Sequence, residues 1–274
     1  MSKNEGKKQK KQKSQAPDVV AALAGPVLAH LGQSLFSTQY VGSFLLLSVV
    51  SVIAASLLLG LRVSPPPRAE EGVGAGRPWG AIVSQPTYLV ALFGAATGYG
   101  IMILAMTATP IAMVHHHHEL GAASTVIQLH VLGMFLPSFF TGSLIARFGV
   151  LRVMLAGVAL FAGHVLMTLT GTGFSSFAGA LVMLGVGWNF LYIGGTTLLT
   201  TTYNVAEKGR AQATNDLIIF AVGLACSLSA AALLQVFGWQ MLNTLLLPWL
   251  GLAALALLWL AYTQRARVMT APAE

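Results

Sequence analysis

The sequence predicts an all-α polytopic membrane protein with about eight transmembrane helices, and three observations carry the prediction. First, 55% of the 274 residues are apolar and only 8% are charged, with a mean hydropathy of +0.74, a balance that no soluble domain of this length sustains. Second, the apolar residues gather into runs of the roughly 20 residues that a helix needs to cross about 30 Å of hydrocarbon. Third, every Lys and Arg falls between those runs, on one side of the implied membrane. The runs are continuously apolar rather than alternating, which favours helices over a barrel.

Taken in chain order, residues 1–17 carry Lys3, Lys7, Lys8, Lys10, Lys11 and Lys13 and few apolar groups, the composition of a disordered, solvated cytoplasmic tail. Pro17 and Asp18 separate it from the first apolar run, so it does not read as a signal peptide. Two spans follow, at 19–38 and 41–61; the first is the weaker, interrupted by Gly25-Pro26 and by His30, Gln33 and Ser34. Residues 62–86, "RVSPPPRAEEGVGAGRPWGAIVSQP", read as a flexible cytoplasmic linker rich in Pro, Gly and mixed charge. Beyond it, spans at 87–114, 122–146, 150–170, 174–201, 213–235 and 240–262 make a six-helix bundle over 87–263, followed by a tail from 264 to 274.

Basic residues collect on the cytoplasmic side of membrane proteins. The tail lysines, Arg62, Arg68 and Arg77, Arg147 and Arg152, Lys208 and Arg210, and Arg265 and Arg267 account for all 15. With eight crossings they all lie on one face, which predicts both termini cytoplasmic in a cell inner membrane. The net charge of +7 is thereby explained without a nucleic-acid partner. The lone Cys226 permits no intrachain disulfide.

Against that background the residues resemble the major facilitator superfamily (MFS) of secondary transporters. The turn "GSLIARFGVLR", residues 142–152, is similar to that family's loop motif G-x-L-a-D-R-x-G-R-R at Gly142, Leu144, Arg147, Gly149 and Arg152, and departs from it at Ala146, where Asp is typical. "AEKGRAQATND", residues 206–216, resembles the loop before the eleventh helix, and "LGVGWNFLYIGGTTLL", residues 184–199, the tenth helix. Residues 18–61 look like helices five and six; in "AALAGPVLAH" only Gly25 and Pro26 match an exporter element of helix five. The resemblance implies a twelve-helix fold of which this chain holds counterparts of the last eight, and hence a truncated product or one that pairs with a partner chain supplying the missing helices.

Ionisable and amide groups at membrane depth are costly, about 3 kcal/mol for a charge, and mark candidate sites. Gln128, His130 and His164 fall at matching depth on adjacent spans, a pair of imidazoles suited to binding a solute or moving a proton. The competing reading has both histidines neutral and hydrogen-bonded to neighbouring helices. Trp188, Asn189 and Tyr192 occupy the middle of the sixth span, where an aromatic beside an amide suits a planar solute; the glycines around them equally suit helix packing. Asp216 either caps a helix start or takes part in gating with Lys208 or Arg210.

His115 to His118 with Glu119 do not make a metal site in a helix, because successive residues diverge by about 100°. No nucleotide-binding loop, nucleophile elbow or paired catalytic carboxylates occur, so no enzyme and no cofactor are predicted. The expected function is transport of a small organic solute through the bilayer by alternating access, with a coupling proton left open. The alternative is a non-transporting membrane fragment or partner-binding subunit.

Overall fold

A computed structural model describes residues 40–61 and 76–270, with side chains as far as 266, and single positions between 24 and 38. The predicted tail 1–17, most of the predicted span 19–38 and the linker residues 62–75 lie outside the described residues. The chain divides into two compact units, residues 1–74 and 75–274.

The first unit contributes α1, Val41–Leu59. Its side chains are apolar on every face and, within this unit, nearly all exposed, which is the pattern of a helix solvated by hydrocarbon or other membrane helices rather than water. Ser48, Ser51 and Ser56 each donate to the carbonyl four residues back at 2.8 Å, which satisfies the hydroxyls inside the helix.

The second unit holds α2 (Trp79–Val83), α3 (Pro86–His115), α4 (Leu120–Phe135), α5 (Ser138–Phe148), α6 (Val150–Leu169), α7 (Phe174–Leu199), α8 (Lys208–Thr244) and α9 (Leu247–Thr270). Among the described residues, five helical stretches are long and apolar enough to cross a membrane, or six if the bent pair α4 and α5 is one span; the last stretch, Lys208–Ala266, counts once there although it contains a break.

Four expectations are corrected in detail. The span predicted at 122–146 is two helices bent by 41°, because Pro137 has no N–H to continue the ladder and its ring crowds the preceding turn. The span predicted to begin at 213 begins at Lys208 and continues to Thr244 through a break at Gly238, where φ is 71°; the left-handed region is open to glycine and strained for other residues. Finally, the linker is not flexible to its end, since residues 76–85 are structured and include α2. In addition, α9 continues as helix to Thr270, past the boundary predicted at 263.

Helix α7 is the axis of the unit, packed against α3, α4 and α6, while α8 lies along α3 and α9 covers α6 and α3. Phe161, Phe177, Leu181, Leu184 and Leu191 fill the buried interior. Without a water-driven hydrophobic effect, membrane helices gain from close backbone approach over small residues. A Cβ on Gly157 would sit 3.0 Å from the Gly187 carbonyl oxygen, and one on Gly187 would sit 3.1 Å from that of Gly157. Gly157→Val therefore lowers stability by about 1–3 kcal/mol through overpacking, read as a lower thermal midpoint in detergent; an unchanged midpoint would contradict the close α6–α7 contact.

Candidate functional site

Five aromatic side chains form a connected row across the four helices α3, α4, α7 and α8. At its centre Trp188 and Tyr192, one turn apart on α7, stack with centroids 4.9 Å apart and planes 11° apart. Phe135 on α4 meets Trp188 edge-on at 6.5 Å. Tyr99 on α3 lies 6.0 Å from Tyr192, and Phe220 on α8 stands edge-on to Tyr99 at 5.7 Å. Tyr99 reaches this place because α8 has Gly223 there: a Cβ at that position would run into the Tyr99 ring.

The row is apolar with polar groups set into it. The Trp188 indole N–H is buried and has no hydrogen-bond partner, a costly state for a donor in an apolar wall. Gln128 is half-buried on α4, two turns from Phe135 and on the same helical face. Asp216, exposed on α8 one turn before Phe220, is near enough to act electrostatically on Tyr192.

The other residues singled out from the sequence have structural partners. Asn189 is fully buried. Its Oδ1 accepts from Thr141 Oγ1 at 2.6 Å, and its Nδ2 donates to the Met134 carbonyl at 2.6 Å and to Ser138 Oγ at 2.5 Å. It thus fastens both sides of the break between α4 and α5 instead of joining Tyr192 on a common surface. The two histidines do not face one cleft either. They grip successive carbonyls of α7: His130 Nδ1 lies 2.9 Å from Leu181 O and His164 Nδ1 lies 2.9 Å from Ala180 O. Because a carbonyl only accepts, each of these ring nitrogens donates.

Asp216 does not cap its helix, because α8 starts at Lys208 with Glu207 in the capping position; the sequence places no helix signal strong enough to reveal those extra turns. The loop motif is a one-residue turn: α5 ends at Phe148, α6 begins at Val150, and Gly149 between them has φ 86°. Arg147 lies over the Phe148 ring at 5.3 Å, and Arg152 Nη1 is 3.4 Å from the Phe148 carbonyl; both arginines are exposed, as is Gly142. Of the histidine run, His118 Nε2 lies 2.7 Å from the Thr172 carbonyl, and His116 and His118 pack beside Phe177. Among the described residues no group of three or more His, Cys, Asp or Glu is placed to hold a metal ion.

Sequence reading missed one polar cluster altogether. Glu207, fully buried, accepts from Arg77 through Nε at 2.9 Å and Nη2 at 2.7 Å, and from the Arg77 backbone N–H at 2.7 Å. Arg77 Nη2 also donates to the Thr202 carbonyl at 2.7 Å, and Trp79 Nε1 donates to Thr214 Oγ1 at 3.0 Å. The partners are 130 residues apart, and no sequence spacing signals them. The guanidinium's side-chain hydrogen bonds, then the Arg77 N–H, hold the Glu207 carboxyl down to about 2, against burial, with the Asn204 N–H adding to the effect. A depressed carboxyl contributes stability above its unfolded value and loses it as pH falls through the folded one, so the clamp stays intact from pH 5 to 8. Glu207→Gln releases it at neutral pH, with faster amide exchange at 200–215; wild-type exchange there in the variant would contradict the clamp.

Residues 92–274 match the family model described as Major Facilitator Superfamily. The chain is 38% identical over 243 residues to the riboflavin transporter RfnT of Brucella anthropi, a match covering 88% of this chain and 61% of that protein. It is 37% identical over 127 residues to the uncharacterized MFS-type transporter YdeG of Bacillus subtilis, covering 46% of this chain and 30% of the relative. With the uncharacterized MFS-type transporter YddS of the same organism it shares 38% over 141 residues, 48% of this chain and 32% of the relative. The chain therefore spans at most 61% of the length of these relatives. No solved structure matches significantly. Long apolar helices and the match over most of its length make this a multi-pass, all-helical membrane protein, and the chain belongs to the major facilitator superfamily.

Proposed function

We propose that this chain serves transmembrane transport of a small organic solute by alternating access, and that the solute is a planar, hydrogen-bonding heteroaromatic molecule of which riboflavin is the type. The observation that carries the reading is the aromatic row: the stacked Trp188 and Tyr192, extended by Tyr99, Phe220 and Phe135. Fused polar rings gain from stacking on such side chains, and the unpartnered Trp188 N–H finds its acceptor in a ring nitrogen or carbonyl of the solute. The similarity to a riboflavin transporter, 38% identical over 243 residues, supports the same chemistry.

In this reading Trp188 and Tyr192 bind the solute, Gln128 supplies an amide at the edge of the row, and Asp216 marks its inner end. Asn189, His130 and His164 position the helices. The chain sits in the inner membrane with both termini cytoplasmic, and the Gly142–Arg152 turn and the Arg77–Glu207 clamp lie on the cytoplasmic side, in keeping with the one-sided basic residues. Membrane vesicles containing the full-length product of the native locus test it: saturable riboflavin uptake, shifted to higher riboflavin concentration by Trp188→Leu, is expected. Membranes with the protein present and no saturable uptake of riboflavin or related flavins would overturn it and favour a partner-binding subunit.

A further inference from the structure

We infer that His164 is a proton-binding site, built by a chain of hydrogen-bond acceptors that a neutral imidazole cannot satisfy. His164 Nδ1 lies 2.9 Å from the Ala180 carbonyl, its Nε2 lies 2.8 Å from the Asn243 amide oxygen, and Asn243 Nδ2 lies 2.7 Å from the Trp239 carbonyl. Three contacts thus run between two backbone carbonyls that can only accept, and each contact needs one hydrogen. A neutral imidazole carries one ring hydrogen, and the amide donates from its nitrogen side only. Two hydrogens serve three contacts, whichever ring nitrogen is protonated and whichever way the amide is turned. A second ring proton completes all three.

The neighbouring buried histidine shows the contrast. His130 has a single acceptor, Leu181 O, and its Nε2 meets no partner, so the neutral ring satisfies its site. Both His164 and Asn243 are fully buried, and an unmet contact at such depth is costly.

Burial opposes the cation at this depth, while the Ala180 carbonyl and the Asn243 amide oxygen favour it. No Asp or Glu occurs between Glu119 and Glu207, so α4, α5, α6 and α7 carry none, and α8 carries only Asp216, 27 residues before Asn243. On α9 the nearest ionisable groups are at its far end, at Tyr262 and Arg265. The titratable neighbours are His130, on α4 beyond α7, and His116 and His118 around the end of α3, linked to His164 through the ring contacts of Phe177 and Trp239, with His115 edge-on to His116. The stabilisation of the cation is therefore by oxygen acceptors, without a counter-carboxylate.

Position gives the proton a consequence. The chain ties α6 and α7 to the last turns of α8, beyond the break at Gly238. Trp239, whose ring stands 6.5 Å from that of His164, also walls a cavity of about 940 Å³ with Ile111, His115, Thr172 and Gly238. Proton binding fastens the segment after Gly238 to the bundle; proton release leaves one contact without hydrogen and frees that segment at the cavity's edge.

The test reads the ring directly and is independent of the solute. The full chain, labelled with 15N-histidine and held in lipid nanodiscs, is followed by NMR between pH 5 and 9, with His164→Gln identifying the signal. The expected result is a His164 ring protonated on both nitrogens at the acid end and neutral at the alkaline end, while His130 stays neutral throughout. Asn243→Leu, which deletes the second acceptor, abolishes the doubly protonated signal. If that variant does not fold, Asn243→Asp holds the doubly protonated ring to higher pH than the wild type. A His164 ring with one bare nitrogen over the whole range, or a titration unmoved by either substitution, would overturn the inference.

Discussion

Trp188→Leu is expected to weaken the proposed flavin binding by about 5- to 150-fold, the equivalent of the 1–3 kcal/mol that stacking on one aromatic ring contributes. Trp188 is only half-buried and has no hydrogen bond to lose, so the same variant keeps its thermal midpoint close to that of the wild type. Tyr192→Phe retains the stacked plane and most of the affinity. Titration of riboflavin fluorescence against the purified protein measures both. Equal affinities for wild type and Trp188→Leu would remove the aromatic row from the binding site.

The second large effect is the opposite kind. Asn189→Leu removes the contacts to Thr141 Oγ1, Ser138 Oγ and the Met134 carbonyl, beside the break at Pro137, and leaves Thr141 Oγ1 only the Pro137 carbonyl. Interhelical hydrogen bonds in membranes contribute about 0.6 kcal/mol each, with a maximum near 1.7, so losing three costs roughly 2–4 kcal/mol in stability. The expected outcome is reduced folded yield and a lower thermal midpoint, with affinity per folded molecule nearly unchanged. A stable Asn189→Leu protein that no longer binds flavin would instead return Asn189 to the solute site.

These two neighbours on α7 illustrate what the sequence could and could not disclose. Both stood out as polar or aromatic groups in the middle of an apolar run, because insertion cost makes such residues rare. Their roles diverge by a helical step of about 100°, and only packing decides which side faces a neighbour. Tyr99, Phe220 and Phe135 were invisible as site residues, since an aromatic in an apolar run is ordinary until four helices bring it beside Trp188. Helix existence was legible from run length, but helix ends were not. "KGRAQ", residues 208–212, is too polar to count toward a span, yet it opens α8. The Arg77–Glu207 clamp was beyond reach for another reason: the Pro/Gly-rich composition of 62–86 describes average chain stiffness, not an ion pair formed across 130 residues.

Binding of a planar heteroaromatic solute to the aromatic row can be read on the purified protein. The most direct measurement is a riboflavin titration of this chain purified into lipid nanodiscs, read by flavin fluorescence against empty nanodiscs. Saturable quenching that Trp188→Leu shifts to higher concentration is expected. A linear signal matching empty nanodiscs, in wild type and variant alike, would contradict it.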